Sequence, residues 1–175
     1  MLWLADALEA IRDFMTLGGP VLRAIAVTIF IMWVLIVERI IFFRSSMKLM
    51  SREIHDNWES RAERQSWNAK QIRELMISRF SEAANKGINV IQTLVALCPL
   101  LGLLGTVTGM ISVFQVMAVS GSGNVRAMAA GVSQATVPTM AGMVGALSGV
   151  LLITLLSRRA SHEVEFLEDS LTMDH

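Results

Sequence analysis

Apolar and polar positions alternate along this chain in blocks of different period. From Leu2 to Met15 the apolar residues recur at helical spacing. Leu4, Leu8, Ile11 and Met15 share one face, flanked by Trp3, Ala7 and Phe14, and Asp6, Glu9 and Asp13 lie opposite. This predicts an amphipathic helix within residues 1–19, stopped by Gly18-Gly19-Pro20. It is too short to span a bilayer, and an interfacial position suits it. Residues 20–43 follow as a first spanning helix with an uncharged centre, Ala24 to Val37. Arg23 and Glu38-Arg39 at its ends must snorkel or pair.

The pattern then changes. Residues 44–87 interleave acids with Arg44, Lys48, Arg52, Arg61, Arg64, Lys70, Arg73, Arg79 and Lys86, contain no Pro, and reach their first Gly at Gly87. They read as soluble helices continuous with the spans. Met47, Met50 and Ile54 form one stripe, Ile72, Leu75, Met76, Arg79 and Phe80 another, and Trp58 and Trp67 are placed to pack on them. A second span is predicted at 88–119 and a third at 128–157. A short turn at 120–127, centred on Ser120-Gly-Ser-Gly-Asn124, joins them, and the tail 158–175 opens on Arg158-Arg159.

Composition sharpens this into an all-α integral membrane protein with three spans. The 175 residues are 53% hydrophobic and only 17% charged, with a mean hydropathy of +0.53. Gly87 to Val125 and Ala127 to Ser157 carry no charge at all. Each exceeds the roughly 20 apolar residues that cross a bilayer. The formal net charge is zero, so no basic surface for nucleic acid is expected. The lone cysteine, Cys98, lies in an apolar run and reads as a small buried hydrophobe. No metal-ligand spacing or phosphate-binding loop is present, so neither metal nor cofactor is expected. The acids near the N-terminus argue against a signal peptide. Lys and Arg concentrate in 44–86 and at Arg158-Arg159, which places loop and C-terminus in the cytoplasm and the N-terminus outside.

Candidate chemistry lies in spans two and three. Span two carries Gly102, Gly105 and Gly109 with Thr106 and Thr108; span three carries Gly131, Ala135, Gly142, Gly145 and Gly149. Small residues at this spacing allow close backbone approach in a membrane. Pro138 frees a carbonyl that nearby hydroxyls can satisfy. For Thr108, Thr136, Ser148 and Thr154 the plain expectation is a bond to their own helix or a neighbour. Gln134 needs partners away from lipid and faces either a helix interface or a water-filled pore. Neither span contains Asp, Glu, Lys, Arg or His, so any proton carrier in the membrane must come from another subunit.

Pro99-Leu-Leu-Gly-Leu-Leu-Gly-Thr-Val-Thr-Gly-Met-Ile-Ser-Val-Phe114, Gly131-Val-Ser-Gln-Ala-Thr-Val-Pro-Thr-Met-Ala-Gly142 and Val37-Glu-Arg39 resemble the MotA/TolQ/ExbB proton-channel family, most of all a short ExbB. The order of spans and loop agrees with the family along nearly the whole chain. The resemblance implies a ring, usually of five copies, around an ExbD-type dimer in the bacterial inner membrane. Proton flow there drives the central helices to act on a TonB-type protein, for uptake of iron carriers or cobalamin through outer-membrane receptors. It implies that Thr106 and Thr139 line the pore. Gln134 falls where relatives commonly carry glutamate, and being untitratable it cannot relay a proton. Alternatives are a TolQ-like role in envelope maintenance and a structural scaffold without a proton path. A flagellar stator is disfavoured by the short 44–86 segment.

Overall fold

A computed structural model describes residues 2–61, 63, 66–120 and 125–171, with the backbone alone at 2–5, 7, 8 and 120. The Ser120–Asn124 turn therefore lies, but for the backbone of Ser120, outside the described residues. So do the Trp3, Leu4, Ala7 and Leu8 side chains. The described residues form five helices: α1 Leu2–Leu17, α2 Gly19–Glu59, α3 Trp67–Asn85, α4 Ile88–Ser120 and α5 Val125–Ser170. Among the described residues three stretches are long and apolar enough to cross a membrane: α2, α5, and Trp67–Val119, whose apolar part is α4.

Local sequence explains the boundaries. Gly19 takes a left-handed backbone, φ 64°, so α1 ends and α2 begins within one turn. Pro20 then occupies the first turn of α2, where its missing N–H costs nothing. At Gly87, φ is 81°, and the helix breaks over Lys86–Gly87. The segment 67–85 is therefore a separate helix, α3, instead of a continuation of the second span. Ser66 caps α3 by accepting from the Ala69 amide at 3.2 Å. By contrast α2 continues without a break to Glu59, well past the first apolar span.

The chain divides into two compact units. The first joins residues 1–33 and 93–150, that is α1, the start of α2, most of α4 and the first half of α5. Its core holds Leu22, Ile25, Met32, Val95, Cys98, Val113, Ala135 and Ala146. The second joins 34–92 and 151–175. Its core holds Phe43, Met47, Trp58, Phe80, Ile91, Leu156 and Leu167. Trp58 is 1% exposed, whereas Trp67, expected to pack likewise, is 73% exposed at the first position of α3. Of the α3 stripe, Phe80 is buried, Ile72 and Met76 are half-buried, and Leu75 and Arg79 face outward.

Two arginines hold the second unit together. Arg73 of α3 donates from Nε to the Leu171 carbonyl at 2.8 Å and from Nη2 to the Glu168 carbonyl at 2.7 Å. Both carbonyls lie at the C-terminal end of α5, where a helix's last carbonyls lack the amides of a further turn, so a cation is favoured there. Arg39 of α2 is 8% exposed; it pairs with Glu38 at 3.3 Å and lies 5.1 Å over the Phe42 ring. Its guanidinium packs so close to Gly87 that a Cβ there would sit 3.0 Å from Nε.

Candidate functional site

The glycines of α4 and α5 meet at a seam. A Cβ on Gly109 would lie 2.5 Å from the Ala135 Cα and 2.7 Å from its nitrogen. One on Gly142 would lie 2.5 Å from the Cys98 carbonyl oxygen, and one on Gly102 3.0 Å from the Thr139 Cα. Here backbone meets backbone. Gly105 takes the Pro138 ring, with Cβ at 2.5 Å, and Gly131 takes the Val113 side chain. Gly145 is different: its neighbour is the flexible Ile29 side chain of α2. Gly149 meets Val95 and Met32 side chains. Four of the seven glycines, Gly102, Gly109, Gly131 and Gly142, thus face only the other helix of the pair, whereas Gly105, Gly145 and Gly149 meet α2 side chains, Val21, Ile29 and Met32.

Thr139 lies on this seam. Its hydroxyl donates across it to the Gly102 carbonyl at 3.1 Å and, more weakly, to Ala135 of its own helix at 3.4 Å. Thr106 is half-buried and donates to the Leu103 carbonyl at 2.7 Å. A hydroxyl that donates keeps its acceptor lone pairs open. Thr108, Thr136 and Ser148 donate to carbonyls of their own helices. The hydroxyls around Pro138 therefore bond Gly102, Ala135 and Ser133, not the carbonyl that Pro138 frees at Gln134. The reason is geometric: from Thr136 and Thr139 the hydroxyl reaches three or four residues back, or across the seam.

Gln134 lies elsewhere in the same unit. Its amide Nε2 is 3.0 Å from where a Cβ on Gly19 would stand, so it packs on the α1–α2 corner. It lines a cavity of about 370 Å³ with Thr16, Ser112 and Gly131, and neither Thr106 nor Thr139 borders that cavity. Within one chain Gln134 thus lies apart from Thr106 and Thr139. Cys98 is buried and donates from Sγ to the Leu94 carbonyl at 3.3 Å, as a packed small hydrophobe does. Among the described residues, no three His, Cys, Asp or Glu side chains come together as a metal site.

Sequence reasoning did not find the Arg73 cap or the Arg39–Gly87 contact. The signal for Gly87 was present: a glycine directly after a long Gly-free helical segment marks a helix end.

Outward surface completes the site. Of the most apolar window of each spanning helix, 22%, 28% and 33% is buried within the chain. Leu103, Val107, Met140, Val144 and Leu147 are among the large apolar side chains left exposed on α4 and α5. Water cannot face that surface, so lipid or protein must cover it. These features define a multi-pass membrane protein whose α4 and α5 are joined by glycines and hold no charged side chain between residues 88 and 119 or 128 and 157. The profile of the MotA/TolQ/ExbB proton channel family matches residues 38–169, and the chain belongs to that family. A relative from Synechocystis sp. described as an ExbB-like biopolymer transport protein is 36% identical over 84 residues, 46% of this chain. That match covers 33% of the relative's own length, so the chain spans about a third of it. No solved structure gives a significant match.

Proposed function

We propose that this chain is the ring-forming subunit of a proton-motive-force-driven motor of the inner membrane. It works with an ExbD-type single-span protein in the ring and energises a TonB-type protein. The observation that carries the reading is that the membrane stretches of α4 (88–119) and α5 (128–157) hold no Asp, Glu, Lys, Arg or His and pack backbone to backbone with a hydroxyl bond across the seam. Such a pair makes a close-packed wall without an acidic or basic proton carrier of its own. In a proton channel family the missing carrier belongs to a partner, for which an ExbD-type aspartate fits. The exposed apolar face of the spans supports assembly into a ring, five copies being the number implied by the resemblance. The Lys and Arg clusters at 44–86 and 158–159 support a cytoplasmic loop and C-terminus and a periplasmic N-terminus.

Thr106 and Thr139 line the lumen in this reading. Gln134 supplies hydrogen bonds to water, for which its cavity has polar neighbours and room. The test is TonB-dependent uptake, normalised to assembled complex, in T106V, T139V, Q134L and Q134E. The first three lose uptake while the complex stays assembled, and Q134E retains it. Wild-type uptake in all of T106V, T139V and Q134L would remove these residues from the working pore. Loss of envelope integrity instead of uptake on deleting the gene would assign the TolQ-like role.

A further inference from the structure

The second unit contains a cavity of about 610 Å³ formed by α2 and α5. Its floor is apolar: Phe43 is 4% exposed and lies beside Ile40, Leu152 and Leu155. Two cations border it, Arg44 from α2 and Arg159 from α5. Both are exposed, and among the described residues neither forms an ion pair; the pairs formed are Arg39–Glu38 and His55–Glu59. Arg44 directly follows Ile40–Phe43 of α2, and Arg159 is the second residue after the charge-free stretch of α5, next to Arg158. Both arginines thus stand where hydrocarbon gives way to headgroups.

Two guanidinium groups beside one cavity repel each other unless an anion joins them. A phosphodiester has oxygens for both, and guanidinium forks match its geometry. The cavity behind it is apolar, and its lining residues Ile40 and Leu155 stay exposed to take an acyl chain. A zwitterionic lipid brings its own cation, which the second arginine would oppose. Basic pockets between membrane helices on the positively charged side bind anionic headgroups for this reason.

We infer that the α2–α5 cavity is a binding site for one anionic phospholipid, its phosphate held by Arg44 and Arg159 and an acyl chain laid on Ile40, Phe43, Leu152 and Leu155. The site requires that these helices lie in a bilayer and does not depend on proton traffic. It is tested on the full chain in mild detergent by native mass spectrometry, with phosphatidylglycerol and phosphatidylcholine of equal chain length. Wild type retains phosphatidylglycerol in preference to phosphatidylcholine, and millimolar inorganic phosphate does not displace it. R44Q/R159Q loses that preference by about thirtyfold, roughly fivefold for each arginine beside an anionic headgroup. The single variants are intermediate, and R158Q, whose side chain does not border the cavity, behaves as wild type. If the double variant fails to fold, the singles against R158Q decide. Equal retention of both lipids by wild type, or undiminished preference in R44Q and R159Q, overturns the inference. So does displacement by inorganic phosphate, or a change of oligomeric state in R44Q/R159Q with lipid preference intact, since a second copy would then cover the cavity.

Discussion

Gly109 and Gly142 abut backbone, whereas Gly145 abuts a side chain that can turn away. The sequence pattern groups these glycines on small-residue faces but cannot distinguish them, because spacing fixes a direction and not the distance to a neighbour. Their substitutions therefore separate. G109A and G142A force the α4–α5 seam apart and cost about 1–3 kcal/mol, as overpacking does. G145A costs less, because Ile29 can change rotamer. Unfolding of the purified protein in graded denaturing detergent measures this, and equal losses for all three would contradict the seam. Thr139 was legible as a polar candidate, but its bond to Gly102 was not, since it joins residues 37 apart. T139V should lose only about 0.6 kcal/mol of stability, the average for a membrane hydrogen bond. Loss of uptake beyond that, normalised to complex, marks a role past packing.

At the scale of elements, α4 and the apolar part of α5 were legible because charge-free runs as long as Gly87–Val125 and Ala127–Ser157 are the signature of membrane-crossing helices. The break between α3 and α4 was not. The charged, Pro-free 67–85 stretch and the apolar run after it both read as helix, and the left-handed Gly87 against Arg39 separates them. G87A should cost about 1–2 kcal/mol from the left-handed backbone alone, plus the crowding at Arg39. The amides of 86–91 would then exchange faster with deuterium. R73Q leaves the terminal carbonyls of α5 with a weaker donor. A loss of about 1.5–3 kcal/mol is expected for bonds to a charged group. It should appear as faster exchange near 167–171 with the seam glycines' neighbourhood unchanged. No change there would mean that water satisfies those carbonyls equally well.

For the whole molecule, the central claim is a proton channel wall that lacks its own carrier. Family membership and the absence of charge from both glycine-faced spans carry it together. Partner and ring were not legible from a single chain's packing, because the surfaces that would form them are the ones the chain leaves uncovered. Proton flux into proteoliposomes under an imposed membrane potential tests the claim most directly. One preparation holds this chain alone, and one holds it co-assembled with an ExbD-type single-span protein. The account predicts no flux above lipid background for the chain alone, and flux for the complex that disappears when the partner's membrane aspartate is changed to asparagine. Flux through the chain alone, or flux through the complex that survives the asparagine change, would contradict it.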